Sequence, residues 1–350
     1  VTALDGRRKR RTGLMVGLNV LAVVAVAAML VGGAVALKNY KASKSAVSEL
    51  PVKPLPGTST GLFATLDADG VLTSTTVFVL SPYNNPGGSI ISVPVNSDST
   101  SGSGDVRITL QQAFIDGGPD GLALAVESTL SVTLDFWSVA TPEEAAALFL
   151  PLAPIGVDLP DDVLSDASGV VETIFPAGQR SLSADEAVQV LTSRDSSEQE
   201  RVRRPNLEAF WASVAAAIGT GKGQPAVPVN TSAPLTTLPI TSFETLVPQL
   251  FAGAVGSRGL PADPASDDIN PDGLDVEELD RAEAVLVFAS ISPASVSAPL
   301  PGLVFRLEAP TGYEAQVKET IKAIMFLGGN VLSVSLNGAS QPGTDIYVYD

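Results

Sequence analysis

The stretch Leu14–Leu37 constrains this chain more than any other part of it. No charged residue interrupts it, and Asn19 is its one polar side chain apart from the glycines. As a helix it spans roughly 36 Å at about 1.5 Å per residue, enough to cross a bilayer with some tilt. RRKRR (Arg7–Arg11) precedes it, and the sparser Lys38, Lys41 and Lys44 follow. The denser positive cluster belongs on the cytoplasmic side, so the expectation is a single-pass membrane protein with everything after residue 37 outside the cell. A cleaved signal peptide is the rival reading. It calls for a shorter apolar core, and Ala34 and Ala36 match a small-residue cleavage pattern only weakly.

The chain of 350 residues contains neither cysteine nor histidine. That excludes disulfides, zinc–thiolate sites, thiol nucleophiles, Ser-His-Asp triads and imidazole metal ligands. Any chemistry must use carboxylates, Arg and Lys, hydroxyls, backbone amides or an oxygen-bound metal. Acidic residues outnumber basic ones 38 to 21, for a net charge of −17. The basic excess of the first 44 residues makes the remainder more acidic still. Such a surface repels nucleic acid and anionic lipid. The 31 glycines and 26 prolines announce many turns.

Residues 45–59 read as a Pro-rich spacer. The β-branched runs 71–82 and 88–95, separated by NNPGG, read as a hairpin, and 96–105 as a polar loop. A Gly-Pro turn opens a helix over 117–130 with Leu122, Val126 and Leu130 on one face. Residues 134–140 read as a strand, 142–152 as a short helix, and 157–163 as the approach to a loop. Ser183 and Glu186 make a capping box for the next helix. Pro205 suits the first turn of another, whose apolar face is Leu207, Phe210, Trp211, Val214 and Ile218. Residues 242–255 and 275–291 read as helical, with the acidic linker 262–273 between them. A compact tail follows as strand (302–310), helix with a Gly stop (313–329) and strands (330–336 and 345–350).

One dense positive spot stands in the acidic part: RDSSEQERVRRP, with Arg194, Arg201, Arg203 and Arg204. The order of segments around it resembles the LytR-CpsA-Psr family across roughly residues 57–218. SIISVPV resembles the family strand ending in S-I-P-R-D. AFIDGGPDGLALAVESTLSVTLDFWSV resembles its G-G-P stretch, and AGQRSLSADEAVQVLTSRDSSEQERVRRP its arginine motif. The last 50 residues are similar to the LytR C-terminal domain that often accompanies it.

The resemblance implies an α/β fold with an LCP-type central mixed β-sheet flanked by helices, an N-terminal transmembrane helix and a small C-terminal α/β domain. It divides the chain into a basic tail (1–13), a membrane helix (14–37), a linker (38–59) and an LCP-like domain (60–255). An acidic, Pro-rich linker with a helix (256–300) and a C-terminal domain (301–350) follow. It implies transfer of glycopolymer from a polyprenyl-pyrophosphate carrier to the cell wall, with arginine forks and a carboxylate-held magnesium ion neutralising the pyrophosphate. On that pattern Arg194, Arg201 and Arg204 match three motif arginines, and Thr192 stands at the fourth. Ser74 falls at the magnesium-binding aspartate. Val95 and Asn96 fall at the arginine and aspartate of P-R-D. Asp98 would replace the lost ligand only with a rearranged loop.

Bland readings stand beside these. Arg194, Arg201 and Arg204 are either a phosphate cradle or a solvated face neutralised by Asp195, Glu198 and Glu200. Arg203, off the motif, is expected to be solvated. Phe114, Phe136, Trp137, Phe210 and Trp211 line a polyprenyl groove or are core. The carboxylates of 267–280 bind calcium or form a solvated linker. Asn230 opens a glycosylation sequon. The function expected is binding of a polyprenyl-phosphate carrier or wall glycopolymer by a non-catalytic or weakened member, with no cofactor. The alternatives are an active magnesium-dependent phosphotransferase and a purely structural envelope module.

Overall fold

In the computed structural model, residues 55–100, 107–219, 240–266, 268–297 and 302–340 are described. The membrane span, the basic tail, the sequon and the strand expected over 345–350 lie outside them. Among the described residues no helix is long and apolar enough to cross a membrane.

Two antiparallel hairpin pairings build the centre. Strand β1 (Thr60–Leu66) pairs with β2 (Leu72–Ser81), and β2 with β3 (Asn85–Val93). The turn between β2 and β3 is Pro82–Asn84, where Tyr83 and Asn84 take positive φ. The glycines of NNPGG lie inside β3 and serve a different purpose. A Cβ on Gly87 would stand 2.3 Å from the carbonyl of Ala254. That close approach lets β9 (Val255–Gly259) join β3 in parallel. On the far side β4 (Phe136–Ala140) lies parallel to β1, giving one mixed sheet of order β4-β1-β2-β3-β9.

Alternation along β1 to β3 sends side chains to two covered faces, which is why these strands read as nearly continuous buried runs. One face presents Phe63, Phe78, Leu80 and Ile90. It is covered by α2 (Pro142–Phe149), α3 (Ala184–Thr192), α4 (Glu200–Gly219) and α5 (Phe243–Phe251). The other presents Leu62, Ala64, Val77, Val79, Ile91 and Val93. It is covered by α1 (Leu110–Leu130) and α6 (Arg281–Ile291). Three small two-stranded sheets complete this part: β5 (Ile155–Leu159) with β8 (Gly178–Leu182), β6 (Val163–Ser165) with β7 (Glu172–Phe175), and β10 (Ala262–Pro264) with β11 (Glu277–Leu279). The expected α/β architecture with a helix-flanked central mixed sheet is therefore present.

Capping decides several boundaries. Thr141/Glu144 and Ser183/Glu186 close capping boxes at the starts of α2 and α3. In α1, Gly118 (φ 62, ψ −154) breaks the helix just before Pro119, so the expected helix is present behind a first segment begun by Thr109. Helix α4 starts five residues upstream of the proline that was expected to open it, because Asp275 accepts the Glu200 N–H at 2.8 Å. Pro205 therefore sits inside α4, and the Arg201 carbonyl loses its usual acceptor role one turn on.

The stretch 256–300, expected as a linker with a helix, contains that helix as α6 and also most of β9 and both β10 and β11. Residues 275–280 are not helical: β11 occupies 277–279, and Asp280 caps α6 by accepting the Glu283 N–H at 3.1 Å. Helix α6 is apolar on two sides. Ala284, Val287 and Phe288 face the sheet, while Ala282, Leu286 and Ala289 meet a third cluster. That cluster belongs to β12 (Val304–Glu308), α7 (Glu314–Phe326) and β13 (Asn330–Ser335), with β12 and β13 parallel. Lys318 of α7 bonds Asp280 at 2.7 Å and Glu283 at 2.9 Å. Leu55–Ser340 form one compact unit.

Candidate anion site at the start of helix α4

The four arginines meet four different fates. Arg194, just after α3, lies 3.5 Å from Asp67 and is about one-third exposed. Arg201 is exposed, with no ion pair or hydrogen bond among the described residues. Arg203, expected in solvent, is instead tied down. Its Nη1 donates to Glu200 and to the Thr73 carbonyl at 2.8 Å each, and its Nη2 to the Leu191 carbonyl at 2.7 Å. The reason is the early start of α4, which turns residue 203 towards the sheet. Arg204 is also largely buried. Its Nη1 donates to the Ala262 carbonyl at 3.0 Å, and its Nη2 to the carboxylate of Glu277, which is almost fully enclosed.

The fold brings three of the sequence-derived positions together. Ser74, Val95 and Arg204 line one small cavity with Glu200, Leu207 and Glu208. Its free space is about 10 Å3, room for a single water molecule. Ser74 Oγ is engaged by Thr65 Oγ1 at 2.7 Å. Val95 is buried in the apolar cluster on the α1 face. Thr192 closes on its own helix, donating to the Val188 carbonyl at 3.0 Å. Asn96 is buried beside Val95, its backbone carbonyl accepting the Glu277 N–H at 3.1 Å, and neither polar atom of its side chain has a partner. Arg194, Arg201, Thr192 and Asp98 are not in this cavity.

Asp98 lies elsewhere. It pairs with Arg107 at 3.0 Å and lines a wider cleft of about 620 Å3 with Arg281, Lys322 and Glu278.

The electrostatics are those of a closed network. Around Arg203 and Arg204 stand Glu200, Glu208 and Glu277, so carboxylates outnumber guanidiniums. Burial pushes the Glu277 carboxyl up from 4.5 to about 7, against the pull of Arg204 and with a further push from Asp275 and Glu200. Burial likewise raises Glu200, opposed by Arg203, and Glu208, opposed by Arg204. The N-terminus of α4, a natural anion seat, is occupied by Asp275.

A magnesium ion does not fit here. The aspartate position is a hydroxyl already bonded to Thr65, its neighbour is valine, and the Glu277 carboxylate is committed to a guanidinium. Among the described residues no group of three acidic side chains converges as a metal site. The aromatic residues are core rather than groove. Phe210 and Trp211 are fully buried, packed edge-on or tilted against each other and against Phe63, Phe78 and Phe149 at centroid distances of 5.3–6.2 Å. Trp137 is the exposed exception, its indole N–H donating to Asp120 at 3.1 Å.

Sequence reasoning missed Glu277 and Asp275, and no local signal marks either. Each completes its contact with residues more than 70 positions away.

No protein-family model matches the chain, and no curated protein matches it. Among solved structures, it is similar to Bacillus subtilis TagT (16% identity, TM-score 0.45, covering 69% of this chain and 91% of that one). It is also similar to a LytR-Csp2A-Psr enzyme from Actinomyces oris (18%, 0.43, 64% and 88%). A third is the LytR-CPS2A-psr family protein YwtF (TagT) with bound octaprenyl pyrophosphate lipid (13%, 0.45, 79% and 93%). Of these, the Actinomyces oris enzyme and TagT are described as proteins of the LytR-CpsA-Psr family.

Proposed function

We propose that this chain is a membrane-anchored, extracytoplasmic protein of LytR-CpsA-Psr type that takes part in envelope glycopolymer assembly without catalysing phosphoryl transfer. Its ligand class is a polyprenyl-(pyro)phosphate carrier or the wall glycopolymer such a carrier holds. One observation carries the non-catalytic part. Where the motif resemblance implies a pyrophosphate, a metal-bound aspartate and an arginine, this chain has Ser74, Val95 and an Arg204 already paired with Glu277, around space for one water. Phosphoryl transfer depends on positioned positive charge at the transferring group, and here that charge is spent internally. Arg201 and Arg194 keep more exposure and are the side chains left to meet a phosphate from outside.

The protein purified from membranes, with lipid extracts read by mass spectrometry, tests both halves. Polyprenyl phosphate should copurify, and less of it with an Arg194→Ala/Arg201→Ala variant. Equal recovery from the variant overturns the arginine route. Release of pyrophosphate from lipid-linked substrate in the presence of magnesium overturns the non-catalytic reading.

A further inference from the structure

The closed site is held shut from one direction. Strand β11 brings Glu277 across the end of β3, where its N–H donates to the Asn96 carbonyl and its own carbonyl accepts the Asp98 N–H at 2.8 Å. The paired strand β10 supplies the Ala262 carbonyl to Arg204 at 3.0 Å. Asp275, two residues before Glu277, caps α4. Apart from the Glu277 N–H, which donates to Asn96, each of these groups from 262–279 accepts from a donor that a phosphate oxygen would satisfy equally well.

The closure is also imperfect. Glu277 Oε1, Arg204 Nε, Arg203 Nε, Ser97 Oγ and both polar atoms of Asn96 are buried without partners. Buried polar groups are ordinarily satisfied, and six such orphans on the residues that close the site and their neighbours cost stability. A site built solely to be shut would be filled with apolar side chains, which cost less than a half-satisfied network.

We propose that the β10–β11 pair is an intramolecular plug: Glu277 occupies the seat of an external phosphate on Arg204, and a phosphate-bearing ligand binds there only by displacing it. This rests on the phosphate-bearing ligand class proposed above and adds a second seat for it, at Arg204, that is kept shut. Displacement exchanges one anion for another at Arg204, so a ligand gains only its advantage over Glu277. The upward-shifted carboxyl of Glu277 makes it a weak holder of that seat near neutral pH.

Calorimetric titration of the full chain with inorganic pyrophosphate tests this directly. Glu277→Gln preserves the backbone bonds to Asn96 and Asp98 while removing the competing charge. It should bind pyrophosphate about tenfold or more tightly than the unmodified chain, because the competent state is no longer a minor one. Glu277→Gln/Arg204→Gln should lose that gain. Glu283→Gln, which disrupts a different buried carboxylate bonded to Arg258 and Lys318, should show none. Equal affinities for the unmodified chain and a folded Glu277→Gln variant overturn the plug, as does a gain that survives loss of Arg204. Should Glu277→Gln not fold, amide exchange on the unmodified chain decides. Pyrophosphate should speed exchange at Asp98 and 277–279, and unchanged exchange at saturating pyrophosphate overturns the proposal. A plug that fails these tests leaves lipid copurification untouched, so the two readings fall separately.

Discussion

Arg203 and Glu200 stand one helical turn apart on α4 and close on each other at 2.8 Å, both more than four-fifths buried. The same guanidinium ties α4 to the Thr73 carbonyl on β2 and to the Leu191 carbonyl near the end of α3. Removing it leaves a buried carboxylate and two carbonyls without their donor. Arg203→Ala is therefore expected to cost about 3 kcal/mol or more. Arg201→Ala, at an exposed site, should stay within about 0.5 kcal/mol. Urea denaturation midpoints of the two variants check the contrast, and equal midpoints refute it.

Glu277 ties stability to pH. Its folded value of about 7 lies above the ordinary 4.5, so the folded chain holds the proton more tightly than the unfolded one. That contribution is whole below the ordinary value and is lost as the pH rises through about 7. Facing it are Arg204 and Glu200 from α4 and Asp275 from the turn before β11. The melting temperature should fall from about pH 5 to about pH 8, and Glu277→Gln should flatten the fall. Raised values at Glu200 and Glu208 act in the same direction, so some slope should remain. A variant with an unchanged pH profile would rule Glu277 out as the source.

Reinstating the family residues should not reinstate a site. Val95 is buried between an apolar cluster and a cavity with room for one water, and the double variant forces two more charges into that space, out of reach of solvent. Ser74→Asp/Val95→Arg should lose about 3 kcal/mol or more and release no pyrophosphate. Recovery of turnover in that double variant contradicts the internal neutralisation described above.

Asn96 makes the opposite case. Its side-chain amide is enclosed and unpartnered, so an apolar side chain of similar size removes a desolvation cost. Asn96→Leu should be neutral or stabilising by up to about 1 kcal/mol. A clear loss in thermal melting would mean that a tightly held water satisfies the amide.

The sequence disclosed some parts of this fold better than others, for physical reasons. The pairing of β2 with β3, the Ser183/Glu186 capping box and the apolar faces of α1 and α4 are local patterns and are present, although the hairpin turns at Pro82–Asn84 rather than across NNPGG. Strand β1 escaped notice because TGLFATL is short and buried on both faces, which leaves no alternation to read. DVEELDRAEA reads as helix because it is rich in helix formers, and the strand character of β11 comes from pairing with β10. The resemblance placed Ser74, Val95 and Arg204 in one constellation, and they do line one cavity. It could not show which arginines face inward. That depends on the residue at which α4 begins, and Asp275 fixes it from far along the chain.

The partner of Arg204 lies 73 residues downstream. As the polypeptide is synthesised from its N-terminal end, α4 is made with Arg203 already beside Glu200, whereas the β11 carboxylate that meets Arg204 arrives only later. For that interval Arg204 lacks its partner, and its pairing is a late event in synthesis rather than a property of α4 itself. A nascent chain halted ahead of residue 275 would therefore hold α4 without its Asp275 cap and Arg204 without its carboxylate.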